Sequence, residues 1–251
     1  KFVDIFLTNM IIWLASYPKS GNTLLRSMLT AYFYSKDGTF NFELLKNINQ
    51  FPNQTLFKNL GIDVNNELEV IKNYIKAQEW INKRSGRSIN FIKTHNSLND
   101  INGHRFTNLQ NTLGVIYIVR DPRDVIRSYA NHSSISKEEA KNRILEIRTL
   151  GGKKDPKNKT IIHTGSWSSN YNSWKEFKNI NKYFLIKFED LILEPEKNLI
   201  NILKFLHKVA NLELKIDKNK IKNILQTTSF EYLQNLEKKD SFAESPSTAE
   251  E

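Results

Sequence analysis

The chain has no cysteine, which excludes disulfides, thiolate metal sites and thiol nucleophiles. Glycine and proline are scarce, nine and six among 251 residues, and no stretch rich in either divides the chain. One domain over residues 1–251 is therefore expected, with about 236–251 as a mobile tail or truncated end, since "SFAESPSTAEE" is small, polar and acidic. Long apolar runs are also missing. The longest near the start, "MIIWLASY" (10–17), falls far short of the roughly 20 residues that cross a bilayer. No basic start followed by a small-residue cleavage site marks a secretory signal, so a cytoplasmic protein without a membrane span is expected. There is no internal repeat.

What is present is ordinary for a globular chain: 39% hydrophobic and 25% charged residues. The formal net charge of +10 suits an anionic ligand, a nucleic acid or an acidic surface, while the abundance of Lys, Asn and Ile supplies a purely compositional reading of the same charge. Four short runs read as buried strands: 10–16, 89–94, 113–120 and 182–188. Each is β-branched or aromatic and nearly continuous in its apolar residues, the pattern of a parallel sheet covered on both faces. Helical periodicity follows or precedes them at 23–34, 67–84, 122–132, 137–149, 167–178 and 195–207. Alternating strands and helices predict an α/β three-layer sandwich with a mostly parallel central sheet flanked by helices. Residues 35–66 read as looser, and 150–165, "LGGKKDPKNKTIIHTG", as a basic loop.

Ligands of open parallel sheets bind beyond the carboxyl ends of the strands, and "SYPKSGNT" (16–23) occupies that place after the first strand. Gly21 permits a tight bend. The helix beginning near Asn22 or Thr23 presents unpaired N–H groups and the positive end of its dipole. Lys19 adds a full charge, and Ser20, Asn22 and Thr23 add donors. This chemistry points to a phosphate or sulfate group. A nucleoside-triphosphate P-loop fits poorly, because its lysine follows the second glycine of G-x-x-x-x-G-K-[ST], whereas Lys19 precedes the only glycine here. No acidic strand end is placed to hold magnesium.

The third strand ends in "VRDPRDVIRSYANH". Asp121 is placed to cap a helix, Pro122 suits its first turn, and Asp124 is placed to return the cap as a capping box. Arg120 and Ser128 have no such structural account, and an arginine and a hydroxyl beside the first loop suit a second phosphate. The second strand ends in "FIKTHN", which puts His95 at the same edge. Trp167, Tyr171, Trp174 and Phe177 recur at helical spacing and read as core. Phe40, Phe42, Phe51 and Phe57 read as a satellite core, with an acceptor pocket as the rival reading.

These motifs resemble, in order and over roughly residues 10–235, those of the 3′-phosphoadenosine 5′-phosphosulfate (PAPS)-dependent sulfotransferases of the cytosolic type. Tyr17 to Thr23 match Y-P-K-S-G-[TN]-T. Arg120 to Ser128 match R-[ND]-P-[RK]-D-x-x-x-S. Lys93, Thr94 and His95 match the strand end that carries the family's base. "GSWSSNYNSW" (165–174) is similar to G-S-W-x-x-[HN]-x-x-x-W, "FEDL" (188–191) to Y-E-D-L, and Thr228, Ser229 and Phe230 to the T-S-F segment beside adenine. The resemblance implies a P-loop-NTPase-like fold and PAPS as co-substrate without a metal. It implies Ser20, Gly21, Asn22, Thr23 and Leu24 on the 5′ side, Arg120 and Ser128 on the 3′-phosphate, and His95 as general base. Lys19 falls to the bridging oxygen of the leaving phosphate and Lys93 to the sulfuryl oxygens. The implied partner is a small-molecule or glycan acceptor, with no nucleic acid.

Four departures from the family pattern stand out. Leu24 replaces the tryptophan that stacks on adenine, and Thr164 replaces the tyrosine before G-S-W. The late R-K-G-x-x-G-[DN]-W loop is absent, as is the late K-T-V-E-type dimer motif. Two alternatives stay open: a nucleotide-dependent small-molecule kinase, and a non-catalytic relative that binds PAPS or its product 3′-phosphoadenosine 5′-phosphate (PAP).

Overall fold

The strands form where apolar side chains alternate between two cores. In the computed structural model, which describes residues 9–86, 89–152 and 160–239, the strands are β1 Met10–Ala15, β2 Ile89–Thr94, β3 Asp100–Ile101, β4 His104–Arg105, β5 Thr112–Val119, β6 Thr149–Gly151, β7 Ile161–His163 and β8 Tyr183–Lys187. The four longest make one sheet in the order β2-β1-β5-β8, and every pairing in it is parallel. Ile12, Leu14, Ile116, Ile118 and Ile186 point into one core. Ile11, Trp13, Ala15, Val115 and Tyr117 point into the other. A sheet buried on both faces needs this two-sided apolarity, which is why the runs read as continuous rather than alternating. The four expected strands and the three-layer arrangement are all present.

The helices are α1 Asn22–Tyr34, α2 Gln54–Asn59, α3 Glu67–Lys72, α4 Tyr74–Arg84, α5 Pro122–Ser133, α6 Lys137–Leu145, α7 Trp167–Ser173, α8 Phe188–Leu193, α9 Pro195–Ala210, α10 Lys218–Thr227 and α11 Phe230–Lys239. Leu25, Met28 and Leu29 of α1 and Leu199, Ile202 and Leu203 of α9 cover the first face. Val70, Ile71, Tyr74 and Ala77 of α3 and α4 cover the second, with Trp174 and Phe177. Trp13 sits at the centre of that second core, fully buried, ringed by Phe51, Phe106 and Trp174. Its indole N–H donates to Thr112 Oγ1 at 3.0 Å.

Several expectations need correction. The helical pattern over 67–84 breaks at Asn73, whose amide nitrogen donates to Glu69 O at 2.8 Å; such local side-chain bonding competes with helix propagation. The pattern over 137–149 stops at Leu145, and Thr149–Gly151 instead pairs antiparallel with Ile161–His163. The segment 150–165 is thus strand at both ends rather than loop, and its residues 153–159 lie outside the described residues. The turn after α7 tightens into a 3-10 helix, Trp174–Ile180. The looser segment 35–66 contains a 3-10 helix at Phe42–Asn47 as well as α2. Helix α11 extends into the region taken as tail, while 240–251 lie outside the described residues. Phe40, Phe51 and Phe57 are at most 1% exposed and divide between the two cores, with Phe42 packed against the first, so these rings are core, and Phe51 also lines a cavity. Among the described residues no helix is long and apolar enough to cross a membrane.

The chain leaves β1 towards β2 on one side and β5 towards β8 on the other. The topological switch point therefore lies between β1 and β5, where ligands of such sheets bind. Trp13→Ala is expected to destabilise the fold by about 3–5 kcal/mol, read as a lower denaturant midpoint. A shift under about 1 kcal/mol would show that the second core does not depend on this ring.

Candidate active site

The turn after β1 is bent by two left-handed residues. Lys19 has φ 65° and Gly21 has φ 95°, with Ser20 between them. A lysine rarely adopts this conformation, and such a residue persists only where its surroundings demand it. Alternating backbone hand makes successive N–H groups converge into a concave anion site, and Gly21 is the N-cap of α1, whose dipole reinforces it. Glycine is required at 21 for a second reason: a Cβ there would lie 2.2 Å from Phe188 Cδ2.

Phe188 opens α8, directly after β8. Its other contact is Arg120, whose guanidinium carbon lies 4.5 Å from the ring centroid, a cation–π arrangement. Arg120 Nη1 also donates to Lys19 O at 3.3 Å. The arginine that ends β5 is thus laid across the turn that ends β1, with Phe188 beneath both. The first residue of the "FEDL" segment thus stands at the site.

Three buried polar atoms around this turn have no hydrogen-bond partner among the described residues: Ser20 Oγ, Asn22 Oδ1 and Arg120 Nε. Leaving a buried donor unsatisfied costs about 1–3 kcal/mol. Two hydroxyl or guanidinium donors left open beside converging N–H groups fit an anion with several oxygens. Burial pushes the Tyr17 phenol well up, so it stays neutral and adds no negative charge.

Helix α5 begins as expected, with Asp121 Oδ1 accepting from Arg123 N at 2.8 Å and Pro122 in the first turn. The expected capping box does not form. Asp124 pairs with Arg127 at 3.1 Å, and the Asp121 N–H donates to Glu189 Oε1 at 2.9 Å. The neighbouring Arg123 side chain, through its hydrogen bonds, holds the Asp121 carboxyl down to about 2. Glu189 therefore ties α5 to α8, and with it the position of Arg120.

His95 follows β2 and is anchored on both sides. Its Nδ1 lies 2.8 Å from Ser16 O and 3.1 Å from Ser16 Oγ. Its main-chain carbonyl accepts from Asn170 Nδ2 at 2.9 Å. Asn170 also donates to Thr164 O at 2.8 Å and accepts from Tyr117 OH at 2.7 Å. Trp174 Nε1 donates to Asn96 O at 2.9 Å. The "GSWSSNYNSW" segment thus builds the floor under His95 with its asparagine as well as its aromatics. Ser16 and Asn170 were missed as site residues, although both sit inside quoted motifs.

The remaining predicted residues make other contacts. Lys93 is 7% exposed, and its main chain bonds Asn49 and Phe51 across the sheet edge. Leu24 packs into the first core. Thr23 is the second residue of α1, and its carbonyl accepts from Ser27 Oγ. Ser128 is half-buried, two turns into α5. Thr228 and Ser229 bond locally, to Ile224 O and Gln226 O, and Phe230 is 74% exposed. Thr164 Oγ1 is committed to Arg148 O at 2.8 Å. Among the described residues no group of three or more His, Asp or Glu is arranged to hold a metal.

A family model for the sulfotransferase domain matches residues 10–248. The chain belongs to the sulfotransferase family. The luciferin sulfotransferase of Photinus pyralis is 26% identical over 250 residues, which cover 89% of this chain and 56% of that protein. The chain thus spans little more than half the length of this curated relative. Two solved sulfotransferase-like folds superpose on it. Mouse SULT7A1, complexed with PAP, gives a TM-score of 0.54 at 20% identity over 90% of this chain and 66% of that one. A retinol dehydratase in a complex with retinol and PAP gives 0.53 at 16% identity over 91% and 67%. Their similarity establishes the family fold.

Phe188→Ala removes the ring that supports both Gly21 and Arg120. PAP is expected to bind this variant about tenfold more weakly by calorimetry, a loss of about 1.4 kcal/mol, while Phe188→Tyr retains affinity. Equal affinity in Phe188→Ala would mean that Arg120 keeps its place without the ring.

Proposed function

We propose that this family member transfers the sulfuryl group of PAPS to a hydroxyl or amine of a small-molecule acceptor. The observation that carries the reading is the meeting of three strand ends on one turn: Arg120 on the carbonyl of Lys19, and His95 on Ser16, either side of the converging N–H groups at Ser20 and Gly21. The open donors Ser20 Oγ and Arg120 Nε support an anionic ligand with phosphate-like oxygens at this turn.

When bound, PAPS supplies the sulfuryl group and leaves as PAP. Ser20 to Thr23 hold the 5′ side through main-chain N–H groups and hydroxyls, and Arg120 and Ser128 take the 3′-phosphate. Lys19 stabilises the negative charge that grows on the leaving phosphate oxygen, the kind of electrostatic help that dominates many such transfers. His95 accepts the acceptor's proton as general base. Lys93 stands behind the same edge as a further positive charge. In-line positioning carries most of the remaining acceleration.

A small-molecule acceptor is supported by the matched luciferin sulfotransferase. Two features set this chain apart in holding the nucleoside. Leu24 and Thr164 stand where aromatics are common in the family, and Thr164 is already engaged, so adenine is held by apolar contact rather than between two rings.

His95→Ala is expected to lose about 10²–10⁴-fold in turnover while binding PAP as tightly as the unaltered chain, measured with labelled PAPS over a panel of acceptors and by calorimetry. Normal turnover in that variant would remove His95 as the base. Arg120→Ala is expected to weaken PAP binding by at least tenfold, since it strips a phosphate of a charged partner. Tight binding of ATP with magnesium, and none of PAP, would favour the kinase reading instead.

A further inference from the structure

We infer that Ser16 is a positioning residue for His95. Its carbonyl fixes the imidazole as the Nδ1–H tautomer, and Asn22 ties that contact to the anion-binding turn. The inference rests on the reading of His95 as the base.

The tautomer follows from chemistry at one atom. Ser16 O lies 2.8 Å from Nδ1, and a carbonyl oxygen only accepts. The hydrogen of a neutral ring must then sit on Nδ1, which leaves the lone pair on Nε2. A ring with its hydrogen on Nε2 would set two lone pairs against each other at this distance. The backbone therefore selects which nitrogen receives a proton, the role an orienting partner plays for many functional histidines. Ser16 is itself fixed: it is fully buried, and its N–H donates to Thr94 O at 3.2 Å. One residue after β1 is thus bonded to the residues before and at His95, so the ring continues the β1–β2 pairing by one rung.

The hydroxyl of Ser16 makes the link to the turn. It lies 3.1 Å from Nδ1 and accepts from Asn22 Nδ2 at 3.2 Å. The same nitrogen donates to Leu14 O at 2.9 Å. Because Leu14 O only accepts, the orientation of the Asn22 amide is settled as well. Asn22 is the first residue of α1, directly after Gly21. A displacement of the turn therefore moves the oxygen on which the imidazole rests. Both oxygens of Ser16 face Nδ1–H, and that bond strengthens when Nε2 takes a proton and the ring becomes charged. Ser16 does not touch an acceptor; it acts through His95.

The test needs no substrate. In ligand-free protein labelled with ¹⁵N-histidine, long-range ¹H–¹⁵N correlation reports the tautomer of His95, assigned by the signal lost in His95→Gln. The expected result is the Nδ1–H form in the unaltered chain. Ser16→Ala keeps the carbonyl and removes the hydroxyl. It is expected to shift the Nδ1–H resonance and lower kcat about three- to tenfold, with PAP affinity unchanged. Asn22→Ala is expected to shift the same resonance although it does not touch the ring. A His95 ring protonated on Nε2 would overturn the inference, as would an unmoved resonance in both variants. If His95→Ala kept full turnover while the Nδ1–H tautomer was found, the base assignment alone would fall.

Discussion

A parallel sheet delivers all of its strand ends to one edge, and the register of β1 between its two neighbours is the constraint on which this site depends. Ala15 pairs with Thr94 on one side and with Tyr117 on the other. Those pairings set Ser16 against His95 and bring Lys19 under Arg120. A shift of one residue in either pairing would turn each side chain to the opposite face of the sheet. Register is protected by the cores. Trp13 and Ala15 are buried on one face, Ile12 and Leu14 on the other, so a slipped strand finds no polar face to expose. The apolar continuity that identifies the strand is also what aligns the chemistry beyond its end.

The turn itself runs against stability. It holds a lysine in the left-handed region, keeps a glycine where a ring leaves no room for a side chain, and buries donors without partners. Each departure is of the kind found at ligand sites. They are sustained by neighbouring asparagines: Asn170 is fully satisfied, giving both amide hydrogens and accepting a third bond, and the amide nitrogen of Asn22 fixes the start of α1 to β1. The division is informative. Asn170 is complete without a ligand, whereas Ser20 Oγ, Asn22 Oδ1 and Arg120 Nε have no partner among the described residues.

Much of this was legible in the sequence, for identifiable reasons. The strands declared themselves because two-sided burial demands unbroken apolar runs. The first turn declared itself because Gly21, Lys19 and the hydroxyls are the residue types an anion-binding turn requires. What stayed hidden depends on contacts between distant segments. The sequence of α5 offers Asp124 as a capping partner, yet Glu189, sixty-eight positions from Asp121, takes that bond. Phe188 looks like one more apolar residue at a strand end until Gly21 and Arg120 are seen on its two sides. The break at Asn73 and the early end of α6 were hidden for a local reason: helical periodicity continues through both, and a single side-chain bond or a strand pairing decides the matter.

The two ends of the proposed nucleotide are held to different standards. The phosphate side rests on a turn braced by β1, β5 and α8, with the guanidinium of Arg120 gripped by a ring and a carbonyl. The nucleoside side has no comparable bracing. Thr228 spends its hydroxyl on its own helix, Phe230 faces solvent, and Thr164 serves the β6–β7 hairpin. On the proposed reading, charge recognition is rigid and base recognition is loose. Affinity for the nucleotide is therefore expected to come mainly from its phosphates and, because the donors are buried, to fall less steeply with salt than exposed ion pairing does. Discrimination among bases would be correspondingly slight, because an adenine held by apolar contact has few polar groups read by the protein.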